Sequence, residues 1–142
     1  MTNSVQIRCR GVVKGHAEGE ALVADAMLSF WGEVDAVTGK VIAVGHVLEG
    51  QSLGGKVLVI RSTKGSSGTP LMLNLAKLEG NAPAALVNVE VDSLAVLGCI
   101  VNGIPIITDL EQDPFAAIRT GDRVEVDADL GILRVFALNG DL

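Results

Sequence analysis

The chain contains no tyrosine and one tryptophan, and aromatic residues reach only 3% of it. Its core must therefore be assembled from Val, Leu, Ile and Ala, which lets strands and helices pack closely, with 17 glycines available for turns. Basic residues are also scarce. Against 17 Asp and Glu there are 11 scattered Lys and Arg, giving a net charge of -6 and no basic patch. Phosphate backbones are bound by such patches, so nucleic acid is excluded as an expected partner. No apolar run approaches the roughly 18 to 20 residues that a membrane span needs. The opening MTNSVQIRCR lacks the basic-then-apolar order of a secretory signal, and a cytoplasmic protein with no membrane contact is the expectation. Cysteine and histidine each occur twice, as Cys9, Cys99, His16 and His46, without CxxC or HxxxH spacing. Buried, reduced thiols are expected rather than a metal site.

What is present suits one domain spanning 1–142. With 49% hydrophobic and 20% charged residues, a chain of this length can bury a substantial core. VQIRCRGVV alternates apolar and polar residues, with Val5, Ile7 and Cys9 on one face, and EALVA follows a glycine-rich turn as a further strand. DAVTGKVIAV places a turn at Thr38–Gly39 before another strand. Val57 to Ile60 is continuously apolar, as a strand buried on both faces would be. TPLMLNLAKLEG reads as a helix with Thr69 as N-cap, Pro70 at its first position and Gly80 as a left-handed cap. Leu71, Leu75 and Leu78 fall on one face of it.

Further along, NAPAALVNVE reads as a second buried strand and DSLAVLG as a short helix capped by Asp92. IPIITD is a third short strand, and DPFAAIRTGD a short helix with Asp113 as cap and Pro114 at its first position. DRVEVDADLGILRVF closes the chain as a hairpin turning at Asp127–Gly131. Strands alternating with helices imply right-handed crossovers and a parallel central sheet. The expected fold class is α/β, layered β/β/α, with a β-rich N-terminal part.

IRSTKGSSGTPLML stands where such a sheet places ligands, between the carboxyl end of a strand and the start of a helix. Free N–H groups of a first helical turn suit an anion, and Gly65 and Gly68 allow close backbone approach. The Walker pattern GxxxxGK[ST] is absent, and spacing alone leaves the segment open between a surface loop and an anion site. Neither His16 nor His46 has the Thr-Gly-Gly run and following helix of a phosphohistidine swivelling domain, so both are read as structural or surface residues. Asp25, Glu33, Asp35, Asp92, Asp109 and Asp127 mostly occupy positions where turns and caps want an acid. Trp31, beside Ser29 and Gly32, is read first as a packing residue and second as a cleft wall.

Taken together, LSFWGEVDAVTGKVI, HVLEGQSLGGKVLVI, KGSSG, APAALVN, GIPIIT and TGDRVEVDADLGIL resemble the small subunit of the aconitase X family over a core of about residues 11–135. The resemblance implies a swivelling β/β/α domain. It also implies a hydro-lyase of two chains, whose large subunit holds an iron centre or iron–sulfur cluster while this chain binds no cofactor. It assigns Ser66 as catalytic, with Lys64, Gly65 and Ser67 binding substrate. A serine alkoxide would take a proton beside the carbon whose hydroxyl the iron activates as a Lewis acid. Backbone N–H groups at a helix start can stabilise that alkoxide as an oxyanion hole does, and Lys64 can add positive charge. The substrates this implies are small hydroxy acids: cis-3-hydroxy-L-proline first, 5-phosphomevalonate as the alternative. The competing reading is a non-catalytic swivelling module that holds a small anion.

Overall fold

In a computed structural model that describes residues 4–136, the elements run β1 (Val5–Arg8), β2 (Arg10–Val13), β3 (His16–Leu28), β4 (Val57–Thr63), α1 (Thr69–Leu78), β5 (Ala85–Asn88), α2 (Ser93–Asn102), β6 (Ile106–Thr108), α3 (Pro114–Ala117), β7 (Arg123–Asp127) and β8 (Ile132–Phe136). The strands form an eight-stranded sheet in the order β1-β8-β7-β3-β4-β5-β6-β2. Long strand β3 joins its two halves. Its first residues, His16 to Glu20, pair antiparallel with β7, and Ala21 to Leu28 pair parallel with β4. Strands β4, β5 and β6 continue in parallel, as the alternation of strands and helices implied. Strands β1 and β2 stand at opposite ends of the order yet are separated only by Cys9, so the sheet curls back on itself.

The apolar run of β4 explains the layers. Val57 and Val59 enter one core with Ile7, Val87, Ile107, Val124, Val126 and Leu133, which packs the two sheet halves face to face. Leu58 and Ile60 point the other way into a second core with Leu22, Leu73, Leu86 and Cys99, beneath the helices. All four β4 residues are fully buried, so each contributes on the order of 1.5–3 kcal/mol of burial to one core or the other. The β/β/α layering expected of the chain is thus built by one strand facing two cores.

Several local expectations change. VQIRCRGVV is two strands, because the backbone breaks step at Cys9, whose N–H donates to Gly131 O at 2.9 Å. EALVA does not follow a turn; β3 begins at His16 and runs through Gly19, leaving Gly15 (φ 136°) as the turn. The turn at Thr38–Gly39 is present, with Gly39 N–H bonded to Asp35 O at 2.7 Å, but only isolated bridges follow it where a strand was expected. The helix expected over DPFAAIRTGD stops after one turn at Ala117, and α2 extends beyond DSLAVLG to Asn102. Asp92 and Asp113 cap their helices, and Gly80 takes φ 75° after α1. Leu71, Leu75 and Leu78 do share a face of α1, but it faces solvent; Thr69, Leu73 and Ala76 form the buried side.

Candidate functional site

Strand β4 delivers the chain to the carboxyl edge of the parallel sheet, where residues 64–68 connect it to α1. Three of the four residues singled out there, Lys64, Gly65 and Ser67, are exposed, and Ser66 is half-buried. The Ser66 side-chain oxygen accepts the Gly68 N–H at 3.1 Å, and its carbonyl accepts the Thr69 N–H at 3.0 Å. The hydroxyl oxygen is therefore already met by a backbone donor, which favours a negative charge on it. Thr69 is not the N-cap expected of it. Gly68 takes that position with no side-chain cap, because the helix begins one residue earlier than the Thr-Pro pair suggested. The Thr69 hydroxyl is fully buried and has no hydrogen-bond partner among the described residues.

Three contacts from outside the loop hold it in place, and sequence reading missed all three. Lys64 Nζ forms an ion pair with Glu33 Oε2 at 3.1 Å, while Glu33 Oε1 accepts the Ser29 N–H at 2.7 Å. Burial pushes the Glu33 carboxyl up, but the Ser29 N–H and the Lys64 ammonium outweigh it and hold the group below its ordinary value. Glu33 is thus ionised at neutral pH. The Trp31 indole lies against Gly68, so that a Cβ at this position would collide with it. Trp31 itself is 54% exposed, which makes it both a packing residue and a wall of the loop's surroundings.

Beneath the loop, Asp92 Oδ2 accepts the Thr63 hydroxyl at 3.1 Å, and a Cβ at Gly65 would stand 3.3 Å from Asp92 Oδ1. The cap of α2 thereby also supports the serine loop. Glu33 lies 31 positions from Lys64 and Asp92 lies 29 from Thr63, and no local pattern announces either pairing.

The other acids divide as their geometry requires. Asp35 and Asp127 accept backbone N–H groups in turns, and Asp109 sits at φ 53° paired with Arg10. Asp25 departs from that expectation, lying within β3 and bonded to Arg61 at 2.6 Å. His46 is structural: its Nε2 lies 2.7 Å from Met27 O and its Nδ1 accepts the Leu48 N–H, which ties the 46–48 turn to the end of β3. His16 lies on the surface, 3.5 Å from Glu125.

The residues present do not fit an iron site. Among the described residues no group of three or more His, Cys, Asp or Glu is gathered. Burial pushes the Cys99 thiol up to about 12, and burial together with the Asp127 charge pushes Cys9 up to about 11. Thiols so raised stay protonated and make poor ligands. A cavity of about 210 Å³ lies beyond β5 and β6, lined by Asn88, Val89, Asp109, Leu110 and Pro114, and the serine loop does not line it. Among the described residues no helix is long and apolar enough to cross a membrane.

Comparison with known proteins agrees with the fold. Residues 6–135 match the aconitase X swivel domain family. The phosphomevalonate dehydratase small subunit of Methanococcoides burtonii is 36% identical over 93% of this chain and 96% of its own length. That of Methanocella arvoryzae is 40% identical over 92% and 99%. The holo-form crystal structure of aconitase X from Thermococcus kodakaraensis superposes with a TM-score of 0.86 at 33% identity, covering 94% of this chain and 99% of that one.

Proposed function

The chain belongs to the aconitase X swivel domain family, and from that premise we propose that it is the small subunit of a two-chain dehydratase and supplies Ser66 as its catalytic base. The observation that carries the serine's role is the Gly68 N–H bonded to Ser66 Oγ at the start of α1. That donor stabilises an alkoxide without needing a histidine or a carboxylate beside it. The alkoxide takes a proton from the carbon next to the one bearing the substrate hydroxyl. The released electron pair forms the double bond as the C–O bond breaks, and the departing hydroxide takes a proton from solvent to leave as water. Lys64, Gly65 and Ser67 line the approach, Lys64 with its charge and the other two with backbone and hydroxyl groups. The iron centre or iron–sulfur cluster belongs, in this reading, to the large subunit, since the described residues of this chain gather no cluster of ligands for one.

The substrate is a small hydroxy acid. The relatives' names favour 5-phosphomevalonate. The Glu33 carboxylate beside Lys64 favours an acid with less negative charge, such as cis-3-hydroxy-L-proline.

Separate purification tests the division of labour. The chain alone is expected to dehydrate neither acid and to hold no iron, and mixing with the large subunit is expected to restore turnover. A brown, cluster-bearing single chain, or one active by itself, would contradict the proposal.

A further inference from the structure

Charge at the serine loop is unusually balanced for a site that handles an acid. Lys64 is the one cation whose contacts place it in residues 64–68, and its ammonium is held 3.1 Å from Glu33 Oε2. Arg61, the next cation back along β4, is committed elsewhere, bonded twice to Asp25 and stacked 5.5 Å over the Phe115 ring. Glu33 is not loosely placed. Its second oxygen takes the Ser29 N–H at 2.7 Å, and the Ser29 hydroxyl in turn donates to Trp31 O at 2.7 Å. The 29–33 turn thus delivers a carboxylate to Lys64 and an indole to Gly68 from the same short segment.

A lone ammonium at a helix start attracts a phosphate, whereas an ammonium already paired with a fixed carboxylate presents no net charge and offers a dianion no net attraction. We propose that Glu33 is a specificity-determining residue of this site. By neutralising Lys64 it favours a hydroxy acid whose carboxylate is balanced by its own protonated amine over one that carries a phosphate ester. The carboxylate of such a zwitterion meets the Lys64 side of the pair and its ammonium meets the Glu33 side, whereas a phosphate finds only half of the pair favourable. This inference rests on the reading of residues 64–68 as the reactive loop, and it names which substrate class that loop accepts.

Glu33→Gln is the informative variant. The amide keeps an oxygen for the Ser29 N–H and removes the charge and the acceptor that Lys64 meets. In the reconstituted pair, the wild type is expected to prefer cis-3-hydroxy-L-proline to 5-phosphomevalonate. Glu33→Gln is expected to move the ratio of kcat/KM toward the phosphorylated acid by about tenfold, the scale of one nearby like charge. Glu33→Asp, which restores the charge, should bring the ratio back. Adding Lys64→Met to Glu33→Gln should remove the gain for the phosphorylated acid. A wild-type pair that prefers the phosphorylated acid, or a ratio unmoved in Glu33→Gln, overturns the inference.

A second measurement needs no catalysis. Inorganic phosphate is titrated into the chain alone and followed by fluorescence of Trp31, the one tryptophan, which lies against the loop. Tighter phosphate binding by Glu33→Gln than by the wild type supports the charge role even if the pair dehydrates neither acid, an outcome that would sink the dehydratase reading alone. Equal binding overturns it.

Discussion

Helices α1 and α2 both begin at the carboxyl edge of the parallel sheet, and they begin differently. At α2, Asp92 adopts the extended backbone of an N-cap (φ -98°, ψ 127°) and accepts the Leu94 N–H at 3.3 Å. At α1, the cap position is Gly68 in a helical conformation (φ -81°, ψ -11°) with no side-chain cap. The neighbouring Ser66 hydroxyl takes the Gly68 N–H instead, and the Thr69 hydroxyl is buried without a partner among the described residues. A cap is worth about 1 kcal/mol, so the chain forgoes that much at one helix start while keeping it at the next. On the proposed role of Ser66, the difference separates a structural end from a working one. At α2 the polar side chain is consumed in holding the fold, whereas at α1 the Ser66 oxygen takes a backbone N–H from outside the cap position.

That contrast can be broken at graded cost. Beside the serine itself, the largest effect is expected from Gly68→Ala. Its methyl group collides with the Trp31 indole, which must leave the loop. Turnover of the reconstituted pair should fall on the order of 10²-fold through misplacement of the serine, with a shifted Trp31 emission spectrum. Asp92→Ala comes next. It removes the α2 cap and the acceptor of the Thr63 hydroxyl together, and denaturant unfolding should show a loss of roughly 1–2 kcal/mol. Asp113→Ala removes only the cap of one-turn α3, so its loss should be smaller, with turnover unchanged.

Thr69→Val should have the smallest effect. Deleting a buried hydroxyl that has no partner among the described residues is expected to leave stability within about 0.5 kcal/mol or raise it slightly. A large loss there would show that the hydroxyl is bonded in solution. Acid sharpens the comparison further. Because the folded state lowers the Glu33 carboxyl, its contribution is fully present above the unfolded value of about 4.3 and is lost as pH falls through the folded one. Wild type and Glu33→Gln should therefore converge in stability in strong acid and differ at neutral pH.

Much of this was readable from residue pattern. The run Val57 to Ile60, the Asp92 and Asp113 caps and the Asp127–Gly131 turn all follow from local chemistry, and the structure shows each of them. Local chemistry also accounts for the misreadings. Thr-Pro mimics a cap and first turn, yet the Ser66 carbonyl captures the Thr69 N–H and pulls the helix start back to Gly68. Alternation runs unbroken through Cys9, so it could not announce that the strand changes partners there, from β8 to β6. Periodicity grouped Leu71, Leu75 and Leu78 correctly but carries no information on which side of a helix meets the sheet. The pairing of Lys64 with Glu33 was illegible for a different reason. It joins segments that meet only because β3 and β4 lie side by side, with Leu28 opposite Thr63.

One hydroxyl at an uncapped helix start is proposed as the reacting group of an assembly whose metal lies in another chain. Comparing Ser66→Ala with Ser67→Ala in the reconstituted pair, with assembly followed by size-exclusion chromatography, tests it most directly. Both variants should assemble like the wild type, Ser66→Ala should lose turnover to background, and Ser67→Ala should retain the larger part of it. Turnover that survives Ser66→Ala in a fully assembled pair would contradict the account.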